Sequence, residues 1–134
     1  MNMHQACAEL LAALGRRLGI AGLGFDEKAG TCALAFDGRV TVHLAVDERA
    51  VGLVMFAVLG EFSPAQRPDL GAALLRGNYM WRVTEGATLS LDPEQDAALL
   101  ALGLPAAGLT DELLEARLSG FVNVAFAWAA RLRA

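Results

Sequence analysis

The side chains most often used in catalysis are scarce in this sequence: there are two histidines, His4 and His43, and two cysteines, Cys7 and Cys32. A reactive thiol needs an exposed, electropositive setting, usually with an imidazole beside it. Cys7 instead falls on the apolar stripe of a predicted helix, and Cys32 alternates in phase with the apolar residues of a predicted strand. We therefore predict two small core residues, and neither a Cys–His site nor, in a chain without an export signal, a disulfide framework.

The other candidate sites also have simpler explanations. His4 lies near a terminus that is expected to fray, and His43 is expected to face solvent from mid-strand, with no Cys, Asp or Glu at a metal-like spacing. The glycines at 19, 22 and 24 suggest a nucleotide loop, but they follow a helix instead of joining a strand to a helix. The sequence thus predicts no catalytic residue, no metal site and no cofactor, and a protein that is not an enzyme.

Composition and charge restrict the class of partner. The net charge is −4, and no basic cluster exceeds the pair Arg16-Arg17, which argues against nucleic acid. Apolar residues make up 55% of the 134 residues, more than the ~45–50% of an ordinary soluble domain. A chain this small cannot easily bury that much apolar surface alone, so we expect a second copy or another protein to cover part of it.

The same apolar residues do not predict a membrane segment. The longest apolar stretch, residues 50–60, is well short of the ~20 residues that span a bilayer. The first residues lack the basic region of a signal peptide, and Glu9 interrupts the apolar region that should follow it. We expect a cytoplasmic protein with no membrane partner.

The apolar pattern divides the chain into elements in the order α-β-β-β-α-β-β-α. The predicted elements are a helix at 4–18 capped by Gly19, strands at 31–36, 39–46 and 51–59, a helix from about Asp69 with an uncertain end, strands at 87–91 and 97–102, and a last helix with Thr110 as its N-cap. Asp37-Gly38 predicts a two-residue hairpin turn, because both positions favour positive φ. Consecutive hairpins predict an antiparallel, twisted sheet packed with helices, an α+β fold in a single domain over residues 1–134.

Two of these elements carry further expectations. The strand at 51–59 is apolar on both faces, so we expect it to be central and covered on both sides. The last helix has a regular apolar stripe, which we interpret as core and not as a partner surface. The members of this stripe are Leu114, Leu118, Phe121, Ala125, Trp128 and Leu132.

The joint pattern resembles a known family. The pair Leu74-Leu75 is followed by Asn78, then by the glycine-led strand at 86–92, and the last helix carries Phe121 and Trp128. This arrangement is similar to that of the Tir chaperone (CesT-like) family, the class I chaperones of type III secretion, over residues 5–132. Gly77 departs from the pattern, because a better helix former is expected there.

The resemblance implies a homodimeric, cytoplasmic chaperone without a cofactor. It implies that the dimer binds the N-terminal, non-globular segment of a secreted effector and keeps it stable and secretion-competent, with the secretion ATPase as a further partner. Two other readings remain open at this point. One is a dimeric adaptor or regulator on the same scaffold without an effector client, and the other is an enzyme or small-ligand domain.

Two surfaces follow as predictions. The first strand is expected near a sheet edge, where an incoming chain can pair with it, and the first helix has more leucine than one stripe needs. The predicted effector groove comprises Leu10, Leu14, Leu18, Phe25, Leu34 and Phe36. The predicted dimer interface comprises Leu70, Leu74 and Tyr79. The groove residues could equally close the core, and the sequence alone leaves both roles open.

Overall fold

The structure, a computed structural model, describes residues 2–49 and 51–133. Its elements follow the predicted order. The helices are α1 (Met3–Leu18), α2 (Arg67–Gly77) and α3 (Asp111–Arg133), and short 3-10 turns lie at Pro64–Gln66 and Tyr79–Trp81. The strands are β1 (Thr31–Phe36), β2 (Val40–Asp47), β3 (Gly52–Glu61), β4 (Thr88–Leu91) and β5 (Ala97–Pro105).

The five strands form one antiparallel sheet in the order β1-β2-β3-β5-β4. The prediction of an α+β fold with an antiparallel sheet is confirmed. β3 is central, paired with β2 on one side and β5 on the other, and a register shift interrupts the β3–β5 ladder between Val58 and Gly60. β1 and β4 are the edges, so the predicted edge position of the first strand is also confirmed.

The helices pack on one face of the sheet, which we call the inner face. α1 and α3 contact β2 and β3, while α2 contacts β4. Burial along β3 alternates accordingly: Leu53, Met55, Ala57 and Leu59 are buried, whereas Val54, Phe56 and Val58 are half-buried or exposed. The expectation that β3 is covered on both sides is therefore wrong for the single chain, because within the described ranges no helix crosses the opposite, outer face.

Local sequence signals account for most element boundaries. Gly19 ends α1 in the left-handed conformation at φ 75°. Thr110 caps α3, since its hydroxyl accepts a hydrogen bond from the Leu113 N–H at 3.1 Å. Asp37 and Gly38 both have positive φ as predicted, but Phe36 pairs with Val40. The hairpin loop is thus residues 37–39, one residue longer than the predicted two-residue turn.

The start of α1 corrects a prediction about His4. Asn2 caps the helix, accepting a hydrogen bond from the Gln5 N–H at 2.8 Å, and the Gln5 side chain accepts one from the Asn2 N–H in return. The His4 ring stacks on Phe25 with a centroid separation of 5.3 Å. A reciprocal cap and an aromatic contact hold this turn in place, so His4 belongs to an ordered helix rather than a frayed end.

The apolar stripe of α3 forms the centre of the core. Leu114, Phe121, Ala125 and Trp128 are at most 6% exposed, and Leu132 is half-buried. Arg131 stacks its guanidinium over the Trp128 ring at 4.6 Å, which covers the ring where the core meets solvent. The interpretation of this stripe as core is confirmed. In the part of the chain that the structure describes, no helix has the length and apolarity needed to cross a membrane.

The end of α2 explains the departure at Gly77. A Cβ at this position would lie 2.4 Å from Cζ2 of Trp128 and 2.8 Å from Cδ1 of Leu89. The next residue, Asn78, fixes the helix end to the sheet: its Nδ2 donates to the Leu89 carbonyl at 2.8 Å, and its Oδ1 accepts from the Leu89 N–H at 2.7 Å. Only glycine permits α2 to approach Trp128 and β4 this closely.

Candidate partner-binding surfaces

The outer face of the sheet is apolar and open to solvent. The register places Ala33, His43, Phe56 and Ala101 in one row across β1, β2, β3 and β5. His43 stacks on Phe56, with ring centroids 5.2 Å apart, so its ring is half-buried on this face and not fully solvent-facing as predicted. Val58, on the same face, is 51% exposed. A face of this kind can bind apolar side chains of another chain.

The free edge of β1 is closed at one end and open along the rest of the strand. The Asp26 N–H donates to the Thr31 carbonyl at 2.8 Å. Beyond Thr31, residues 32–35 receive no hydrogen bond from outside the sheet within the described ranges. This short edge can therefore pair with an extended segment of a partner.

A groove runs beside this edge, between α1 and α3. It has a volume of about 550 Å³ and is walled by Leu18 from α1, Phe36 from β1 and Ala116, Leu118 and Val122 from α3. We call it the α1–α3 groove. Leu18 is 37% exposed and Phe36 is half-buried, so both present apolar surface to anything that enters.

A second exposed apolar surface follows the end of α2. Five large apolar side chains in nine residues are 53% to 74% exposed: Leu75, Tyr79, Met80, Trp81 and Val83. We call this the 75–83 surface. Tyr79 lies four residues after Leu75, and the Trp81 Nε1–H donates to the Thr88 hydroxyl of β4 at 3.3 Å. The surface is thus attached both to α2 and to an edge of the sheet.

The backbone of this surface is strained. Met80 and Trp81 have φ of 51° and 54°, a left-handed conformation that large side chains rarely adopt. Such residues cost ~1–3 kcal/mol each and persist where the surroundings impose them, often at functional sites. Nearby, the Thr84 hydroxyl is buried and has no hydrogen-bond partner among the described residues. In the single chain this segment therefore keeps a strained backbone and a buried hydroxyl without a hydrogen bond.

The structure divides the predicted groove residues into two sets. Leu14 is fully buried and Leu34 is 7% exposed; both are core residues of the single chain and present almost no surface. Leu18 and Phe36 are brought together in the α1–α3 groove. The other two, Leu10 and Phe25, are half-buried, and Phe25 lies outside that groove, against His4.

The predicted dimer residues divide in the same way. Leu74 is 3% exposed and packs in the core, Leu70 is half-buried, and Tyr79 is 66% exposed. Leu75, which the sequence reasoning placed beside Leu74 without assigning it a role, is the exposed member of the pair at 74%. The available signal was its spacing of four residues from Tyr79, which puts both on one helical side.

Several other exposed apolar residues were not predicted from the sequence, for a simpler reason. Val58 and Phe56 were counted as covered, and Met80, Trp81 and Val83 lie in a short irregular segment where no periodicity applies. A cluster of aromatic and large apolar residues just past a helix end was the one signal in the sequence that could have found them.

The cysteines are structural. Cys7 and Cys32 are free and buried, which confirms that they are core residues, and burial raises the pKa of both thiols above the usual value. A raised pKa disfavours the reactive thiolate. Within residues 2–49 and 51–133, no group of three or more His, Cys, Asp or Glu side chains is placed to hold a metal ion.

The fold has clear relatives among solved structures. A chain of the ExsC–ExsE complex superposes with a TM-score of 0.81 at 25% identity, covering 98% of this chain and 97% of that one. A chain of the HopA1–SchA chaperone–effector complex gives a TM-score of 0.77 at 21% identity, covering 97% and 98%. The complex of the Yersinia pestis type III secretion chaperone SycH with a fragment of YscM2 gives 0.69 at 24% identity, covering 90% and 98%.

Sequence comparison agrees with the structural match. No curated protein sequence matches the chain significantly, but the profile of the Tir chaperone protein (CesT) family matches residues 9–129. This range includes α2 with Asn78, the whole sheet and the buried stripe of α3 up to Ala129. The chain therefore belongs to the Tir chaperone (CesT) family.

Proposed function

We propose that this protein is a cytoplasmic type III secretion chaperone that binds the N-terminal, non-globular segment of a secreted effector and keeps it stable and secretion-competent. The observation that carries the proposal is the combination of an open β1 edge with apolar surface on either side of it, in a chain of this family. Three solved relatives are themselves complexes, one of them described as chaperone with effector.

The surfaces suit an extended client better than a folded one. A client strand along residues 32–35 gains main-chain hydrogen bonds that do not depend on its sequence. Its side chains alternate between the two faces of the sheet. One set is therefore directed towards the outer-face row that contains Phe56, and the other towards the α1–α3 groove.

Binding of this kind requires no catalysis. The protein covers apolar client segments that would otherwise aggregate. The client segment, disordered when free, becomes ordered as it binds. Neither a nucleotide nor a metal enters this role, and the secretion ATPase, which the family resemblance implies, is the expected recipient of the loaded complex. We propose accordingly that the protein is not an enzyme.

The functional unit is proposed to be a homodimer. The single chain has an accessible surface of 7972 Å², whereas a compact monomer of 14.1 kDa is expected to expose about 6,700 Å². The excess of about 1,200 Å² is comparable to the ~800 Å² that each partner buries in a stable interface. The 75–83 surface is the strongest candidate for that interface, because it is apolar, strained and incompletely satisfied.

The test is co-purification with a candidate client. The protein is co-expressed with the secreted protein encoded beside its gene, and a tag on this chain is used for purification. We expect a stoichiometric complex that maps to the client's N-terminal segment by limited proteolysis. Recovery of a transcriptional regulator and of no secreted protein would contradict the proposal and favour the adaptor reading.

A matched pair of variants locates the binding. Val58→Glu places a charge on the open outer face, and Gln95→Glu places the same charge in the exposed turn between β4 and β5. We expect Val58→Glu to weaken client binding at least about tenfold, a loss of ~1.4 kcal/mol, while Gln95→Glu does not. Equal affinity of the two folded variants would remove the outer face from the binding site.

A further inference from the structure

The α1–α3 groove is not electrostatically neutral. Glu112 and Glu115 line it together with the apolar wall, and Asp111 lies next to them in the first turn of α3. Apolar floor and carboxylate rim are thus combined within one opening of about 550 Å³.

One base partly compensates these carboxylates. Arg17 donates from Nη2 to Glu115 Oε1 at 3.0 Å, and its Nη1 lies 4.0 Å from Asp111 Oδ2. The hydrogen bond to Glu115 raises the pKa of Arg17, and the charges of Glu115, Asp111 and Glu112 add to this. Three carboxylates therefore share one guanidinium, which leaves the rim with an excess negative charge. Arg39, in the loop between β1 and β2, stacks on Phe126 of α3 at 4.3 Å.

The open edge of β1 indicates how a ligand reaches the groove. Phe36, the last residue of β1, is also a wall of the groove. An extended chain paired with residues 32–35 would therefore bring a side chain to the groove mouth as it passes the end of the strand.

We propose that the α1–α3 groove selects a short extended segment in which an apolar side chain lies two residues from a lysine or arginine, so that both point to the same side of the segment. The apolar side chain enters between Leu18, Phe36 and Val122, and the basic side chain pairs with Glu112 and Glu115 at the rim. This inference rests on the proposed function and adds to it a sequence rule for the client: a basic–apolar anchor. Apolar burial supplies affinity, and the rim charge supplies discrimination.

Two synthetic peptides test the rule without a known client. Both are fluorescein-labelled, about twelve residues long and built from alternating leucine and serine, a length sufficient to span a short strand and its flank. One carries lysines in place of two of its leucines and the other carries glutamates at the same two positions, so that each charge points to the same side as the remaining leucines. Binding is measured by fluorescence anisotropy at low salt and at about 0.5 M salt, where exposed charge pairs are screened.

At low salt we expect the lysine peptide to bind at least about fivefold more tightly than the glutamate peptide, since two exposed charge pairs each contribute modestly. The preference should largely disappear at high salt. Glu112→Gln should reduce it several-fold, whereas Glu94→Gln, which removes a carboxylate from an exposed turn, should leave it intact. Ala116→Trp, which fills the groove, should abolish binding of both peptides, while Ala127→Trp, at an exposed position of the same helix, should not.

Equal binding of the two peptides, no measurable binding of either, or a lysine preference that survives Glu112→Gln would each overturn the inference. These outcomes are separate from failure of the proposed function. If a client co-purifies equally well with the Ala116→Trp variant, the basic–apolar anchor is wrong and the chaperone role still stands. If no client co-purifies at all, the chaperone role itself is contradicted.

Discussion

Gly77 shows two residue-scale effects of opposite sign. Alanine is favoured over glycine in a helix by ~1 kcal/mol, but its Cβ would lie 2.4 Å from the Trp128 ring. Overpacking of this kind costs ~1–3 kcal/mol. We predict that Gly77→Ala lowers the free energy of unfolding, measured by urea denaturation, despite the gain in helix propensity.

The same helix contains the control. A Cβ at Gly71 would meet nothing closer than Cδ1 of Leu91 at 4.0 Å, so Gly71→Ala should raise the free energy of unfolding by up to ~1 kcal/mol. If both substitutions stabilise the protein, the close approach of α2 to Trp128 is not as described.

The two thiols give a prediction about pH. Burial raises the pKa of Cys7 and Cys32, so the folded protein holds these protons to a higher pH than the unfolded chain. The resulting contribution to stability is complete below the unfolded thiol pKa of ~8.5 and is lost as the pH rises above it. We expect native protein to react slowly with a thiol reagent at pH 7, and both cysteines to react rapidly in denaturant. Fast stoichiometric labelling of the native state would contradict their core position.

At the scale of elements, α3 depends on its buried tryptophan. Trp128 is 6% exposed and contacts α2 through the Gly77 position. We predict that Trp128→Ala lowers the free energy of unfolding by ~3–5 kcal/mol, with unfolding or insolubility as the visible result. Arg131→Ala, which removes only the stacking on the ring, should cost no more than ~1 kcal/mol. A stable Trp128→Ala variant with impaired client binding would instead make the ring part of an interface.

The elements also show which structural facts are readable from sequence. The α3 stripe, the Gly19 cap and the central position of β3 each follow from a local pattern, because periodicity and turn chemistry act within a few residues. The open outer face does not follow, because a strand that is apolar on both sides can be covered by its own chain or by another. Leu74 and Leu75 are adjacent in sequence, and only the packing of α2 against Leu89 and Trp128 decides which one is buried.

The candidate surfaces were predictable to a similar extent. An edge position for β1 and a groove containing Leu18 and Phe36 came from strand order and leucine spacing. The α3 side of that groove was missed because Ala116 and Val122 lie beside the buried stripe, and helical periodicity alone does not separate the edge of a core from the wall of a groove.

For the whole molecule, part of the apolar excess in the composition lies on the solvent-exposed surface. Among the described residues, ten large apolar side chains are exposed in the single chain, and half of them belong to the 75–83 surface. Monomeric proteins rarely leave apolar patches of this kind uncovered. A second copy is the simplest cover, since a twofold interface lets one patch pack against itself.

The last prediction follows from this arrangement. We expect light scattering at micromolar concentration to give a mass of about 28 kDa, twice the 14.1 kDa of the chain. Leu75→Arg, at the most exposed leucine of the 75–83 surface, should shift the mass towards the monomer, because a charge buried at an interface without a partner costs several kcal/mol. Leu113→Arg, at an exposed leucine of α3, should leave the dimer intact. A wild-type mass near that of one chain would refute the homodimer, and a dimer that survives Leu75→Arg but is lost with Leu113→Arg would move the interface from α2 to the start of α3.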